Sequence, residues 1–284
     1  MPVNSLQSQL KRFPLLVAAK RKFIPDATTL DVLQTFPLFV PCSRGSYRSN
    51  AQLTIQSINQ TLPALSSLAA SLGGRKLAVS DIRDCAATAA EREAAVQLKP
   101  YCDREGSDKA NSHDYHHLYG AILSRREEIT GVFEVGLGTN NLDVVSNMGS
   151  AGRPGASLRA FRAFLPHARI YGADVDRRIL FEEERIKTFH VDQTDPESFA
   201  ELGRQLPAEL DLVIDDGLHS PNANLHTLTF GLGRIKAGGW MVIEDIGPKA
   251  IPVWEVVAAL LPGNFQPRLF RAEGSMVFAV QRLG

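Results

Sequence analysis

Two pairs of neighbouring acidic residues and one histidine stand out in this 284-residue chain, because together they could bind a metal ion and move a proton. Asp215 and Asp216 form the first pair, His219 lies three residues after Asp216, and Glu244 and Asp245 form the second pair. Carboxylates held close together repel one another unless protons or a cation join them. Hard oxygen ligands suit Mg²⁺, which keeps coordination positions for water or substrate oxygens. A histidine that reaches the same space is a reasonable general base.

The elements predicted around these residues bring both acidic pairs to one place. Short apolar stretches predict strands at Gly131–Val135, Ala168–Val175, Lys187–Val191, Leu210–Ile214 and Trp240–Ile243. The stretches between them predict helices at Ala156–Phe164, Pro196–Gln205 and Asn222–Ile235. Alternating strands and helices indicate βαβ units and a parallel sheet, here a Rossmann-like, doubly wound α/β fold. Each acidic pair follows one of the last two strands, so both pairs would lie at the same edge of that sheet.

The two ends of the chain follow other patterns. At the carboxyl end, Phe265–Arg271 and Ser275–Gln281 predict two strands that would add an antiparallel pair to the mostly parallel sheet. At the amino end, Ala51–Leu72 and Ala86–Leu98 have helical spacing, and Gly73-Gly74 separates them. We therefore predict a mostly helical accessory region at residues 1–105 and a catalytic domain at residues 106–284.

A glycine-rich loop after the first predicted strand suggests a nucleoside site. The sequence Phe133–Gly138 reads FEVGLG, and Gly136 and Gly138 would let the backbone approach a ligand closely. Asp174 ends the second strand, where a carboxylate could accept the ribose hydroxyl protons. Asp192 ends the third strand, where it could receive an adenine amino group. In open α/β sheets, ligands bind at these strand ends.

The details of the loop favour one nucleoside over others. An NAD site requires G-x-G-x-x-G with an acid about 20 residues further on, but Asn141 stands in the third glycine's place and Asp174 lies much further along. The phosphate loop G-x-x-x-x-G-K-[ST] is absent from the sequence. S-adenosylmethionine has no pyrophosphate and does not need the third glycine, so it is the predicted cofactor.

Composition and cysteine spacing limit the classes of partner. Lys plus Arg and Asp plus Glu each total 31, so the balance of charge does not suggest nucleic acid as a partner. The sequence has no run near the ~20 apolar residues that a membrane helix needs. Cys42, Cys85 and Cys102 have neither metal-ligand nor disulfide spacing. We predict free thiols, no membrane partner and a cytoplasmic protein.

Taken together, a set of motifs resembles the class I S-adenosylmethionine-dependent methyltransferases, and more narrowly the macrocin and mycinamicin type of sugar O-methyltransferase. The motifs are Gly106–Lys109, His113–Tyr119, Phe133–Gly138, Gly155–Arg159, Tyr171–Asp176, Val191–Asp195, Val213–Ser220 and Gly238–Ile246. The resemblance covers roughly residues 105–246. It departs from the family pattern at Leu218, where a small Ser is common, and in the loop from Thr139 to Pro154.

The resemblance implies roles for individual residues. It implies Mg²⁺ bound by Asp216, Glu244 and Asp245, with His219 as the base. The residues that it and the loop pattern assign to the cofactor are Glu134, Gly136, Gly138, Ser157, Asp174, Asp192 and Asp215. Asp108 and Lys109 would line the same cleft, and a homo-oligomer is expected. For His113, His116 and His117 we expect a surface or substrate-cleft role, although a histidine cluster can bind metal.

The function predicted from the sequence is Mg²⁺-assisted O-methylation of a small-molecule hydroxylated acceptor, a sugar or a glycosylated natural product. A catechol or phenol O-methyltransferase and a non-catalytic nucleoside-binding module are the alternatives.

Overall fold

The structure is a computed structural model that describes the backbone of residues 47–284 and the side chains of residues 52–284. The chain divides into two compact units, residues 1–67 and residues 68–284. Of the predicted features, the free thiol at Cys42 lies outside the described residues, whereas Cys85 and Cys102 are free thiols. No helix within residues 47–284 has the length and apolar character needed to cross a membrane.

The first described element is α1, Tyr47–Ser71, a 25-residue helix. It ends at the predicted break, where Gly73 adopts a positive φ of 79° and the N–H of Gly74 donates to the carbonyl of Ala69 at 2.8 Å. A glycine just past a helix end is favoured because it accepts left-handed backbone angles without strain. The helix predicted over Ala51–Leu72 is therefore confirmed.

A mixed sheet organises the second unit. Its strands are β1 Val79–Asp81, β2 Gly131–Val135, β3 Arg169–Asp174, β4 Glu182–Glu183, β5 Ile186–His190, β6 Leu210–Asp215, β7 Ile235–Ile246, β8 Phe265–Arg271 and β9 Met276–Arg282. Among the described residues their order is β1-β8-β9-β7-β6-β2-β3-β5-β4. The β4–β5, β7–β9 and β8–β9 pairs are antiparallel, and the remaining pairs are parallel. The predicted antiparallel carboxyl-terminal strands are confirmed.

Helices cover both faces of this sheet. They are α2 Ala89–Glu105, α3 Asp108–Asn111, α4 His116–Ile122, α5 Ala156–Phe164, α6 Pro196–Gly203, α7 Pro221–Leu232 and α8 Ile251–Leu260. Along β6, Leu212 and Ile214 point into one core, with Phe161 of α5, whereas Val213 points into the other, with Leu228 of α7. Successive strand residues face opposite sides of a sheet, so β6 is buried on both faces. The doubly wound Rossmann-like fold is confirmed.

The amino-terminal part of the second unit joins this sheet. Strand β1 pairs in parallel with β8, and α2 buries Leu98 and Cys102 in the same core as Phe161. Residues 79–105, which the sequence placed in an accessory region, are thus part of the unit that begins at Leu68. The predicted boundary at residue 105 does not coincide with the division between the two units. A three-residue edge strand carries too little pattern to be found by periodicity.

Candidate active site

The glycine loop after β2 packs against the loop after β6. Gly136 and Gly138 have φ of 94° and 73°, in the left-handed region that favours glycine. A Cβ on Gly136 would lie 2.0 Å from the backbone oxygen of Asp216. This contact between two backbones leaves no room for a side chain, so the loop brings backbone to the point where β2 and β6 end.

Asp174 ties the end of β3 to that loop. Its carboxylate accepts the N–H of Leu137 at 2.8 Å and the N–H of Asp176 at 2.8 Å. The Asp176 carboxylate in turn accepts hydrogen bonds from the Thr139 hydroxyl and the Asn141 side-chain amide, at 2.7 Å each. Burial raises the pKa of Asp174 even though these backbone hydrogen bonds lower it. The acid predicted for ribose therefore also fixes the shape of the glycine loop.

A cavity of about 760 Å³ opens where these strands end. Of the predicted site residues it is lined by Gly136, Gly138, Asp174, Asp192, Asp216, His219 and Asp245. The volume falls in the range of small-molecule and cofactor sites, about 300–1,000 Å³. The cavity also lies at the carboxyl ends of parallel strands, where ligands bind in such folds.

Four predicted residues stand behind the cavity wall, and Asp215 is the clearest case. Its carboxylate is fully buried and accepts hydrogen bonds from Gln193 at 2.8 Å and Asn224 at 3.0 Å. Burial raises its pKa. Asp215, predicted to bind the cofactor, thus lies outside the cavity lining and holds Gln193, which does line the cavity.

Glu134 and Ser157 form a second buried pair behind the wall. The Ser157 hydroxyl donates to Glu134 Oε2 at 2.5 Å, and Glu134 is fully buried. Both were predicted near the cofactor, but neither lines the large cavity. They link β2 to the first turn of α5.

Lys109 occupies the centre of the acidic cluster. Its Nζ lies 2.6 Å from Asp216 Oδ2, 2.7 Å from Glu244 Oε2 and 3.0 Å from Glu134 Oε1, and its side chain is 1% exposed. Burial acts to lower the pKa of Lys109, but the surrounding carboxylates raise it well above its ordinary value. The ammonium group donates hydrogen bonds to Asp216 and Glu244, and its contact with Glu134 is an ion pair that leaves Glu134 Oε1 without a hydrogen bond among the described residues.

Glu244 faces Lys109 rather than the cavity. One of its oxygens pairs with Lys109, and the other accepts the hydroxyl of Tyr119. Burial and the charge of Asp216 raise its pKa well above the ordinary value. The structure therefore does not bring Glu244 to the cavity with the other two predicted metal ligands.

Asp216, His219 and Asp245 are the members that do face the cavity together. Each offers one ligand atom, and these atoms all lie within 4.8 Å of one another. His219 and Asp245 have positive φ values of 55° and 54°, a strained state for residues other than glycine that is common at functional sites. The hydroxyl of Tyr115 donates to Asp245 Oδ1 and also contacts Ser275 at 2.6 Å.

The charges of this region fit a bound cation. Glu134, Asp216, Glu244 and Asp245 are four carboxylates, whereas Lys109 is the cation placed among three of them. Carboxylates in such excess take up protons or a cation. Oxygen ligands of this kind suit Mg²⁺. One acid of the first pair, Asp216, thus meets both acids of the second pair in this region, and Lys109 lies between Asp216 and Glu244.

Of the residues that hold the acids in place, the sequence placed Lys109 at the cleft without a defined role and gave no role to Tyr115 or Tyr119. Lys109, Tyr115 and Tyr119 all lie in motifs that carried the family resemblance. Their contacts join positions more than 100 residues apart, which spacing along the chain does not reveal. The signal that could have found them was a lysine and two tyrosines in stretches expected to be near the cleft.

The fold, with its cavity at the carboxyl ends of parallel strands, is that of the class I S-adenosylmethionine-dependent methyltransferases. A solved structure of the methyltransferase MycE from the mycinamycin biosynthetic pathway, in complex with Mg, S-adenosylhomocysteine and mycinamycin VI, shares it. The TM-score is 0.53 at 23% identity, over 66% of this chain and 54% of that one.

Within that class, the chain is similar to sugar O-methyltransferases. It is 28% identical over 153 residues to the 8-demethyl-8-alpha-L-rhamnosyl tetracenomycin-C 2'-O-methyltransferase of Streptomyces olivaceus, over 54% of this chain and 38% of that protein. It is 39% identical over 93 residues to the mycinamicin VI 2''-O-methyltransferase of Micromonospora griseorubida, over 32% of this chain and 23% of that protein. The chain thus spans less than half the length of these curated relatives. No family model matches it.

Proposed function

We propose that this protein is an S-adenosylmethionine-dependent, Mg²⁺-assisted O-methyltransferase that acts on a sugar hydroxyl of a glycosylated small molecule. One observation carries the proposal: the Asp216–His219–Asp245 cluster and the Gly136–Gly138 loop line the same cavity. A methyl donor held at the loop would lie beside groups that can hold an acceptor oxygen and take its proton.

The loop end of the cavity would hold the cofactor. Gly136 and Gly138 present backbone, Asp174 lies where the ribose is expected, and Asp192 lines the next strand end. Each Asp174 oxygen accepts one backbone N–H and keeps a second lone pair for a ribose hydroxyl. The sulfonium of the cofactor supplies an already activated methyl group, so this chain needs no nucleophile of its own.

The acidic end of the cavity would hold the metal. Asp216 and Asp245 face the cavity, whereas the two Glu244 oxygens are directed at Lys109 and Tyr119. When bound, Mg²⁺ would supply positive charge that favours loss of the acceptor's hydroxyl proton. Lys109 fixes one oxygen of Asp216, which leaves Oδ1 on the side of His219.

His219 would be the general base. Its Nε2 lies 3.7 Å from Asp245 Oδ2 and 4.0 Å from Asp216 Oδ1, beyond hydrogen-bond distance. This nitrogen is therefore open to the hydroxyl proton of an acceptor in the cavity. Holding the base, the acceptor and the methyl donor in one cavity would supply much of the rate through positioning.

The relatives suggest the class of acceptor. The tetracenomycin and mycinamicin enzymes methylate hydroxyls of glycosylated natural products. In this chain, Val145 and Met148 line the cavity and remain 76% and 40% exposed. Exposed apolar side chains beside a polar site suit a ligand that joins an apolar body to a sugar. The homo-oligomeric state stays a prediction.

An acceptor panel tests the proposal. Methyl transfer from labelled S-adenosylmethionine would be followed with glycosides, their free sugars and catechols as acceptors. We expect product from glycosides that is lost with EDTA and restored by Mg²⁺. Product from catechols alone would support the phenol alternative. Calorimetry showing cofactor binding with no product on any acceptor would support the non-catalytic module.

A further inference from the structure

Two histidines and one aspartate form a second cluster of ligand atoms at the start of α4. Asp114, His116 and His117 each offer one such atom, and these atoms all lie within 4.8 Å of one another. None of the three lines the cavity of the candidate active site. The cluster is therefore a group with metal-binding chemistry that the proposed function does not use.

His116 is the member of this cluster that has a buried polar atom without a partner among the described residues. Its side chain is 6% exposed, and its Nδ1 is buried without a hydrogen-bond partner among the described residues. A buried polar atom left without a partner costs free energy, so such atoms in native proteins call for an explanation. The ring centroid of His117 lies 4.2 Å from that of His116, so a second imidazole stands beside it.

The charges around these rings also suit a cation. Burial, together with the nearby His117, lowers the pKa of His116 to about 4, so its imidazole is neutral at neutral pH. Neutral imidazole is the form that binds metal ions. Asp114 adds a negative charge, and the neighbouring Lys99 is paired with Asp103 at 3.0 Å.

We propose that Asp114, His116 and His117 bind a transition-metal ion of the Zn²⁺ class, separate from the cavity. Imidazole ligands suit Zn²⁺ and related ions, whereas Mg²⁺ prefers oxygen ligands. Three protein ligands leave one position of a tetrahedral site for water. The three residues flank Tyr115, whose hydroxyl holds Asp245. A bound ion would therefore fix the segment that positions this acid.

Calorimetric titration with Zn²⁺ tests the site, on the full chain without an affinity tag. An Asp216→Asn, Asp245→Asn background removes both carboxylates of the Asp216–His219–Asp245 cluster. We expect one ion per chain, and we expect His117→Gln to weaken binding by at least about tenfold, since loss of even an outer partner of a ligand costs 10–100-fold. His117 is only partly buried, so this change burdens the fold less than one at His116. His167→Gln is the matched control, because His167 is exposed and pairs with Glu127.

Two results would overturn the proposal. One is that the background protein binds no Zn²⁺, and the other is that His117→Gln and His167→Gln bind it equally well. If the background protein does not fold, the same two histidine variants are compared in the otherwise wild-type chain with Co²⁺. Visible absorption then reports nitrogen ligation, and a spectrum that His117→Gln leaves unchanged would equally rule the site out.

Discussion

Lys109 is the residue on which the charge balance of the candidate site depends. It is buried and forms ion pairs with Asp216, Glu244 and Glu134. Removing one partner from a buried ionic cluster leaves uncompensated charge, which costs about 3–5 kcal/mol. We therefore expect Lys109→Met to lower the free energy of unfolding by about that amount, as measured by urea denaturation.

A surface lysine provides the control for this prediction. Lys99 pairs with Asp103 on α2, and both side chains are about 40% exposed. Surface pairs of this kind contribute about 0–1 kcal/mol. If Lys99→Met and Lys109→Met lower the free energy of unfolding equally, the buried ion pairs of Lys109 do not stabilise the protein more than a surface pair does.

Tyr115 positions Asp245 from behind. Its hydroxyl donates to Asp245 and contacts Ser275 in the turn between β8 and β9. Hydrogen-bond partners of metal ligands commonly contribute 10–100-fold to affinity or activity. We expect Tyr115→Phe to reduce Mg²⁺ affinity, measured by calorimetry, by about 10–100-fold. Tyr101→Phe should leave it unchanged, since Tyr101 packs edge-on against Phe164. Unchanged affinity in both variants would contradict this role.

For individual residues, the sequence predicted the positions of the acidic side chains better than the residues that hold those side chains in place. Strand ends showed where Asp174, Asp216 and Asp245 would lie, because a strand end can be read from a local pattern. The same reasoning could not separate Asp215, which faces the protein interior, from Asp216, which faces the cavity. Which side an acid faces at a strand end depends on the packing of neighbouring elements, here α7 with Asn224 and the Gln193 loop.

Among the elements, the loop between β2 and α5 has a backbone that requires glycine at one position, Gly136. An alanine at Gly136 would combine left-handed strain with a Cβ 2.0 Å from the Asp216 backbone oxygen. Gly149 in the same loop has a φ of 72°, but a Cβ there meets nothing within 4 Å. We expect Gly136→Ala to weaken S-adenosylhomocysteine binding by at least about tenfold, or 1.4 kcal/mol.

Gly149→Ala is the matched control for that loop. It should cost only the backbone strain, about 1–2 kcal/mol of stability, and leave the affinity for S-adenosylhomocysteine unchanged. Calorimetry gives the affinities, and urea denaturation gives the stabilities. If the two alanine variants bind S-adenosylhomocysteine equally well, the close approach at Gly136 has no role in the site.

The elements themselves were largely predictable where the pattern is long and regular. The strand Gly131–Val135, the helix Ala156–Phe164 and the strand Phe265–Arg271 have the predicted bounds. Strands β1 and β4 were missed, because three and two residues carry no periodicity. Helix α8, Ile251–Leu260, was also missed, since nearly all its residues are apolar and they do not follow a one-faced helical pattern.

For the whole molecule, the division of the chain predicts where it can be shortened. Residues 68–284 form one compact unit that includes β1 and α2. A chain beginning at residue 68 should unfold cooperatively in urea, whereas one beginning at residue 106 should not. The shorter chain lacks the α2 side chains of Ala94, Leu98 and Cys102, which are buried in the core. A cooperative transition at the same urea midpoint in both chains would contradict this division.

The rate of methyl transfer from S-adenosylmethionine to a glycoside is the most direct test of the proposed reaction. His219→Asn is the informative variant, because asparagine tolerates the left-handed backbone at φ 55° and lacks the base. We predict that this change lowers the rate about 10²–10⁴-fold. We also predict that EDTA abolishes the wild-type rate and that Mg²⁺ restores it. Full turnover in both His219→Asn and EDTA-treated wild-type protein would contradict the account.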